Sequence, residues 1–188
     1  MEQREAVATV VEIDAIRRAD RLRLASLPYP LAAFAAVNLG GVVAVALLGR
    51  GHLAPYGIVA FTLAVAASAR SLARRASPDG AQLSIVPWVL TAIALFLSAS
   101  STSRLGFALD LDLLTVCGPF MVEALGFWLL GRWAGSDALQ AMATVMLGAS
   151  ALIGALVGGD LAVGLQFAAF GAALCVAALR ARTTGAVA

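Results

Sequence analysis

The sequence predicts an all-α, polytopic membrane protein: a bundle of six transmembrane helices led in by an N-terminal amphipathic interfacial helix. Three observations predict it. Of 188 residues, 61% are apolar and only 13% charged, and a mean hydropathy of +0.92 lies far above that of a water-soluble domain of this size. The apolar residues gather into stretches of about 17 to 22, the length that crosses about 30 Å of hydrocarbon at a rise of about 1.5 Å per residue. The 13 positive residues are all arginine, and their uneven placement carries a topology.

Residues 1–27 do not read as a cleavable signal, because Glu2, Glu5, Glu12, Asp14 and Asp20 are interleaved with arginines where an apolar core would have to stand. They read as a cytoplasmic helix. Glu2 and Glu5 lie near its start and Arg17, Arg18, Arg21 and Arg23 near its end, the arrangement the helix dipole favours. Val7, Val10, Val11, Ile13 and Ile16 supply an apolar side. Such a helix lies on anionic lipid or docks a cytoplasmic partner through its arginines, and both readings stand. Pro28-Tyr29-Pro30 forms the elbow into the first span.

The spans are read at Pro30–Leu48, Pro55–Ala73, Leu83–Ser100, Leu113–Gly131, Ala138–Val157 and Leu161–Leu179, with residues 28–182 as the membrane domain and 183–188 as a short tail. A Ser/Thr cluster after the third span and Arg or Gly after others supply the breaks. With the N-terminus inside, Arg4, Arg17, Arg18, Arg21, Arg23, Arg70, Arg74, Arg75, Arg132, Arg180 and Arg182 are cytoplasmic, leaving Arg50 and Arg104 outside. Positive loops are retained in the cytoplasm, so both termini are expected there, in a bacterial plasma membrane. Tyr29, Trp88, Trp128 and Trp133 near inner boundaries and Tyr56 near an outer one suit the interfacial belts.

Composition also excludes chemistry. The absence of lysine removes a Schiff base to a carbonyl cofactor and a P-loop lysine. A single histidine, His52, removes bis-His haem and the common multi-histidine metal sites. Cys117 and Cys175 fall in opposite halves of the membrane and read as apolar fillers. No cofactor, metal or nucleic acid is expected.

Charged side chains in hydrocarbon cost about 2.5 to 3.5 kcal/mol near a helix centre, so each calls for a reason. Glu123 stands in the middle of the fourth span, and Asn38 at a similar depth in the first. Thr62, Thr91 and Ser150 lie near the centres of the second, third and fifth, and together these residues predict a polar midplane layer. Asp112 precedes Glu123 by close to three turns, which places both carboxylates on one face about 16 Å apart. Between them Pro119 removes a backbone hydrogen bond and frees a carbonyl for a polar partner or water. Glu123 therefore reads either as a protonated structural tie to Asn38 or Ser150, or as a proton or cation site with Asp112 at its mouth.

Gly148-Ala149-Ser150-Ala151 resembles the G-x-S-G of rhomboid intramembrane proteases, which also have six spans. Ala151 replaces the last glycine, and no span holds a histidine to serve as base. Ser150, Gly154 and Gly158 read better as a small-residue packing stripe, with Gly164, Ala168 and Ala172 as a second.

The run from Ile16 to Ser26 into Pro28-Tyr29-Pro30-Leu31, followed by weakly polar spans, resembles a loosely defined group of small actinobacterial membrane proteins of unassigned function. These are often encoded beside winged-helix regulators, so the resemblance implies an accessory or sensor role and transfers no catalytic residue. Three readings follow: a non-catalytic accessory, sensor or scaffold subunit meeting a membrane or cytoplasmic partner through residues 1–27; a small oligomeric proton- or cation-coupled transporter or channel using Glu123; and a lipid-directed enzyme, for which no nucleophile–base pair is present.

Overall fold

The computed structural model describes residues 27–73 and 85–187. Six helices fill them: α1 (Pro28–Leu48), α2 (Leu53–Ala73), α3 (Ile85–Ala108), α4 (Asp112–Ala134), α5 (Asp137–Leu156) and α6 (Gly159–Val187). Each is long and apolar enough to cross a membrane, and no strand occurs among the described residues. The amphipathic helix expected over residues 1–27, with Arg17, Arg18, Arg21 and Arg23, lies outside the described residues except for Leu27.

Three tight reversals follow from local chemistry. A 3-10 turn, Arg50–His52, joins α1 to α2. Gly135, at φ 66°, ends α4 with its N–H on the Arg132 carbonyl while Ser136 N–H reaches the Gly131 carbonyl. That pair of bonds is the left-handed glycine stop, and the Ser136 hydroxyl then caps α5 by accepting from Leu139 N–H at 3.3 Å. The same pattern closes α3, with Leu111 N–H on Gly106 O and Asp110 N–H on Phe107 O. Here the left-handed residue is Asp110 at φ 56°, a conformation Asp tolerates better than most side chains.

Consecutive helices pack side by side, α6 closes against α1, and α4 meets α6 across the interior. Among consecutive helices the α2–α3 seam is the thinnest. Small residues set the close approaches. A methyl at Gly41 would strike the Phe167 ring, one at Gly171 would strike Leu39, and one at Gly154 would strike the Cys117 sulfur. Gly154 is therefore a packing glycine between α5 and α4. Gly158 and Gly164 are not: a methyl at either would have nothing within 4 Å. Gly158 lies beyond the last turn of α5, and on α6 the close approach to α1 comes at Gly171 instead.

The third span is displaced from its predicted position. The Ser/Thr cluster read as a terminator lies inside α3, which runs on to Ala108. Ser98 Oγ donates to Ala94 O at 2.8 Å and Thr102 Oγ1 to Ser98 O at 2.7 Å, so these hydroxyls satisfy themselves on their own helix and need no water. At the other end of the chain α6 continues through Arg180 and Arg182 into the residues read as tail.

Candidate functional site

The interior is an aromatic core interrupted by two polar contacts. Phe34 of α1 meets Phe61 and Phe127 edge-on, with ring centroids 5.6 Å apart in both cases. Phe120 of α4 meets Phe167 at 4.8 Å and Phe170 at 5.2 Å. Glu123 stands between Phe120 and Phe127 on α4, and Asn38 is one turn beyond Phe34 on α1. The two polar residues therefore face each other between two aromatic layers.

Asn38 Nδ2 donates to Glu123 Oε1 at 2.7 Å and to the Phe34 carbonyl at 3.0 Å. Asn38 is 1% exposed, whereas Glu123 is half-buried. The Asn38 Oδ1 atom is buried and accepts no hydrogen bond. Within a low-dielectric interior an unmade bond of this kind costs about 1 to 3 kcal/mol.

A second contact lies about a turn and a half nearer the Asp112 end of α4. Ser150 Oγ donates to Gln166 Oε1 at 2.8 Å, and Gln166 Nε2 donates to Cys117 Sγ at 3.2 Å. The Cys117 carbonyl also faces the Ser150 hydroxyl at 3.5 Å. All three residues are buried. Ser150 thus belongs to this triangle of α4, α5 and α6 and not to a midplane layer with Asn38 and Glu123. Cys117, which the sequence presents as a filler, is an acceptor at the centre of it, and Gln166 is a member that sequence reasoning missed. Depth is the signal that could find it, since Cys117 and Gln166 near the starts of their helices and Ser150 toward the end of the intervening one fall on the same side of the bundle.

The predicted layer is otherwise not assembled. Thr62 is exposed and donates to Ile58 O on its own helix at 2.7 Å, and Thr91 lies on an exposed face of α3. Asp112 is the first residue of α4, and its side chain lies outside the described residues. The carbonyl freed by Pro119, four residues back at Thr115, faces Ser103 Oγ of α3 at 3.5 Å. Tyr56, expected at an interface, turns inward, and its hydroxyl donates to Val37 O at 2.5 Å.

The surfaces carry ordinary contacts. Arg50 Nε pairs with Asp160 Oδ1 at 2.6 Å, both half-exposed, joining the α1–α2 turn to the start of α6. His52 Nδ1 lies 2.9 Å from Leu48 O, to which it donates in the tautomer that carries its proton there. Arg132 stacks over Trp128 at 5.8 Å. No group of His, Cys, Asp and Glu suited to a metal occurs among the described residues. No protein-family model, curated protein or solved structure matches the chain.

Proposed function

We propose that this chain is a multi-pass protein of a bacterial plasma membrane, with both termini cytoplasmic, that serves as a non-catalytic accessory, sensor or scaffold subunit of a membrane complex. One observation carries the scaffold reading: of the buried polar side chains Asn38, Ser68, Ser150 and Gln166, all but Ser68, which bonds Ala64 O on its own helix, reach a neighbouring helix. Asn38 bonds Glu123, Ser150 and Gln166 join Cys117, and Tyr56 holds Val37 O. Polar groups used in this way fix helix positions in lipid, where hydrophobic burial no longer distinguishes one packing from another. Lipid around the bundle is supported by large apolar side chains on its outside, such as Phe107 at 82% exposure and Leu47 at 76%. The arginine asymmetry supports the orientation.

The partner surface on this reading is residues 1–27, with Arg17, Arg18, Arg21 and Arg23. The test is gentle purification of the tagged protein from its host, wild type beside a deletion of residues 2–24, with mass spectrometry of what accompanies it. A specific partner lost on deletion supports the subunit reading; the same proteins in both samples, or none, count against it.

A second reading, a small proton- or cation-coupled transporter, is favoured by the half-buried carboxyl of Glu123 beside an unpartnered acceptor. It requires a flux into sealed vesicles that Glu123→Gln abolishes.

A further inference from the structure

Asn38 is held in one orientation. If its amide ends were exchanged, Oδ1 would face both the Phe34 carbonyl and Glu123 Oε1, placing three acceptors together. With Nδ2 donating to both, its two protons are used, and the remaining capacity of the side chain is the acceptor Oδ1. Only a donor can satisfy it.

The helices packed around this point offer few. On α2 the Tyr56 hydroxyl is committed to Val37 O. On α4 the Cys117 thiol stands six residues from Glu123, beside Gln166, whose Nε2 donates to its sulfur. On α6 the titratable group in the middle of the helix is Cys175, half-buried among apolar residues of the core. The middles of α3 and α5 hold no titratable residue, and Arg50, Arg70, Arg104, Asp110, Asp112, Arg132, Asp137, Asp160, Arg180 and Arg182 stand at or near helix ends. The donor within reach is the Glu123 carboxyl itself, once it carries a proton.

We infer that the Asn38–Glu123 contact is a proton-binding site, in which Glu123 takes up one proton from the medium on Oε2 and donates it to Asn38 Oδ1 while Asn38 Nδ2 still donates to Oε1. The product is a cyclic acid–amide pair with two hydrogen bonds, formed by turning the carboxyl about its own bond. No covalent bond other than O–H is made or broken. The proton closes the joint between α1 and α4; its loss leaves a carboxylate with one bond and an orphaned amide oxygen. This goes beyond the subunit reading and holds whatever partner the bundle serves.

The test is infrared difference spectroscopy of the full-length protein in nanodiscs between weakly acid and weakly alkaline pH, with thermal unfolding alongside. A protonated-carboxyl band should appear on the acid side, be absent in Glu123→Gln, and shift in Asn38→Leu, which removes the amide. Glu123→Gln replaces the acid O–H by an amide N–H that donates to Oδ1 at every pH. Its thermal midpoint should therefore stay flat with pH while the wild type falls toward alkaline pH. Sodium exchanged for choline at fixed pH should leave the band unchanged. The inference is overturned if Glu123→Gln removes no carboxyl band, if Asn38→Leu leaves the band in place, or if sodium displaces it. Should Asn38→Leu fail to fold, the Glu123→Gln spectrum and its melting profile decide the matter.

Discussion

The two polar contacts of the interior are built from similar parts and end in different states. At Ser150, Gln166 and Cys117 the amide uses both ends: its oxygen accepts from the serine and its nitrogen donates to the sulfur. At Asn38 and Glu123 the amide uses its nitrogen twice and its oxygen not at all. The first is a network in which every member meets a partner on another helix. The second contains an acid and an unmet acceptor, so its strength depends on a proton. One helix bundle can thus hold one joint that is purely structural and one that responds, a turn and a half apart on α4.

Prying the closed network apart should give the largest effect. Gly154→Leu drives a side chain into the Cys117 sulfur and the Leu113 side chain, and overpacking of this kind costs about 1 to 3 kcal/mol or more. Thermal unfolding in nanodiscs should show a large drop in midpoint, the same at acid and alkaline pH. A pH-dependent loss would mean that the two contacts are coupled.

Removing the amide from each contact sharpens the comparison. Gln166→Leu leaves the Ser150 hydroxyl with only the long contact to Cys117 O, at a cost of about 0.5 to 2 kcal/mol. Its effect should be independent of pH. Asn38→Leu should break both bonds of the acid–amide pair on the acid side and the single bond to the carboxylate on the alkaline side, so its penalty should change with pH. Equal pH profiles for the two variants would erase the distinction drawn between the contacts.

Ser150→Ala should be milder, about 0.6 kcal/mol, the average for an interhelical hydrogen bond in a bilayer. The smallest change is expected away from both contacts and in the opposite direction. Asp110→Gly replaces a non-glycine residue at φ 56°, and it should raise stability by up to about 1 kcal/mol if steric strain there outweighs the added chain entropy of glycine. A drop would show that the Asp110 side chain contributes more to the turn than its backbone costs.

Much of this architecture is legible in the amino-acid sequence, because length and apolarity alone set whether a helix can cross about 30 Å of hydrocarbon. The six helices, the break between Gly131 and Ala138 and the prominence of Asn38 and Glu123 belong to that class. Glu123 is conspicuous because a carboxyl amid Phe120, Met121, Val122, Ala124 and Leu125 has no local partner. Where α3 ends is not legible. Ser98 and Thr102 bond back to their own helix, and a hydroxyl that can do so carries no signal that distinguishes a helix end from a helix interior.

Which polar residues meet is decided by tertiary structure. Helical periodicity assigns a residue a depth and a direction on its own helix, but the azimuth at which two helices face each other depends on packing at Gly41, Gly154 and Gly171. Those close approaches turn Ser150 toward Gln166 and Cys117, away from Glu123. They also bring Asn38 alone to the acid and leave its amide oxygen without a donor.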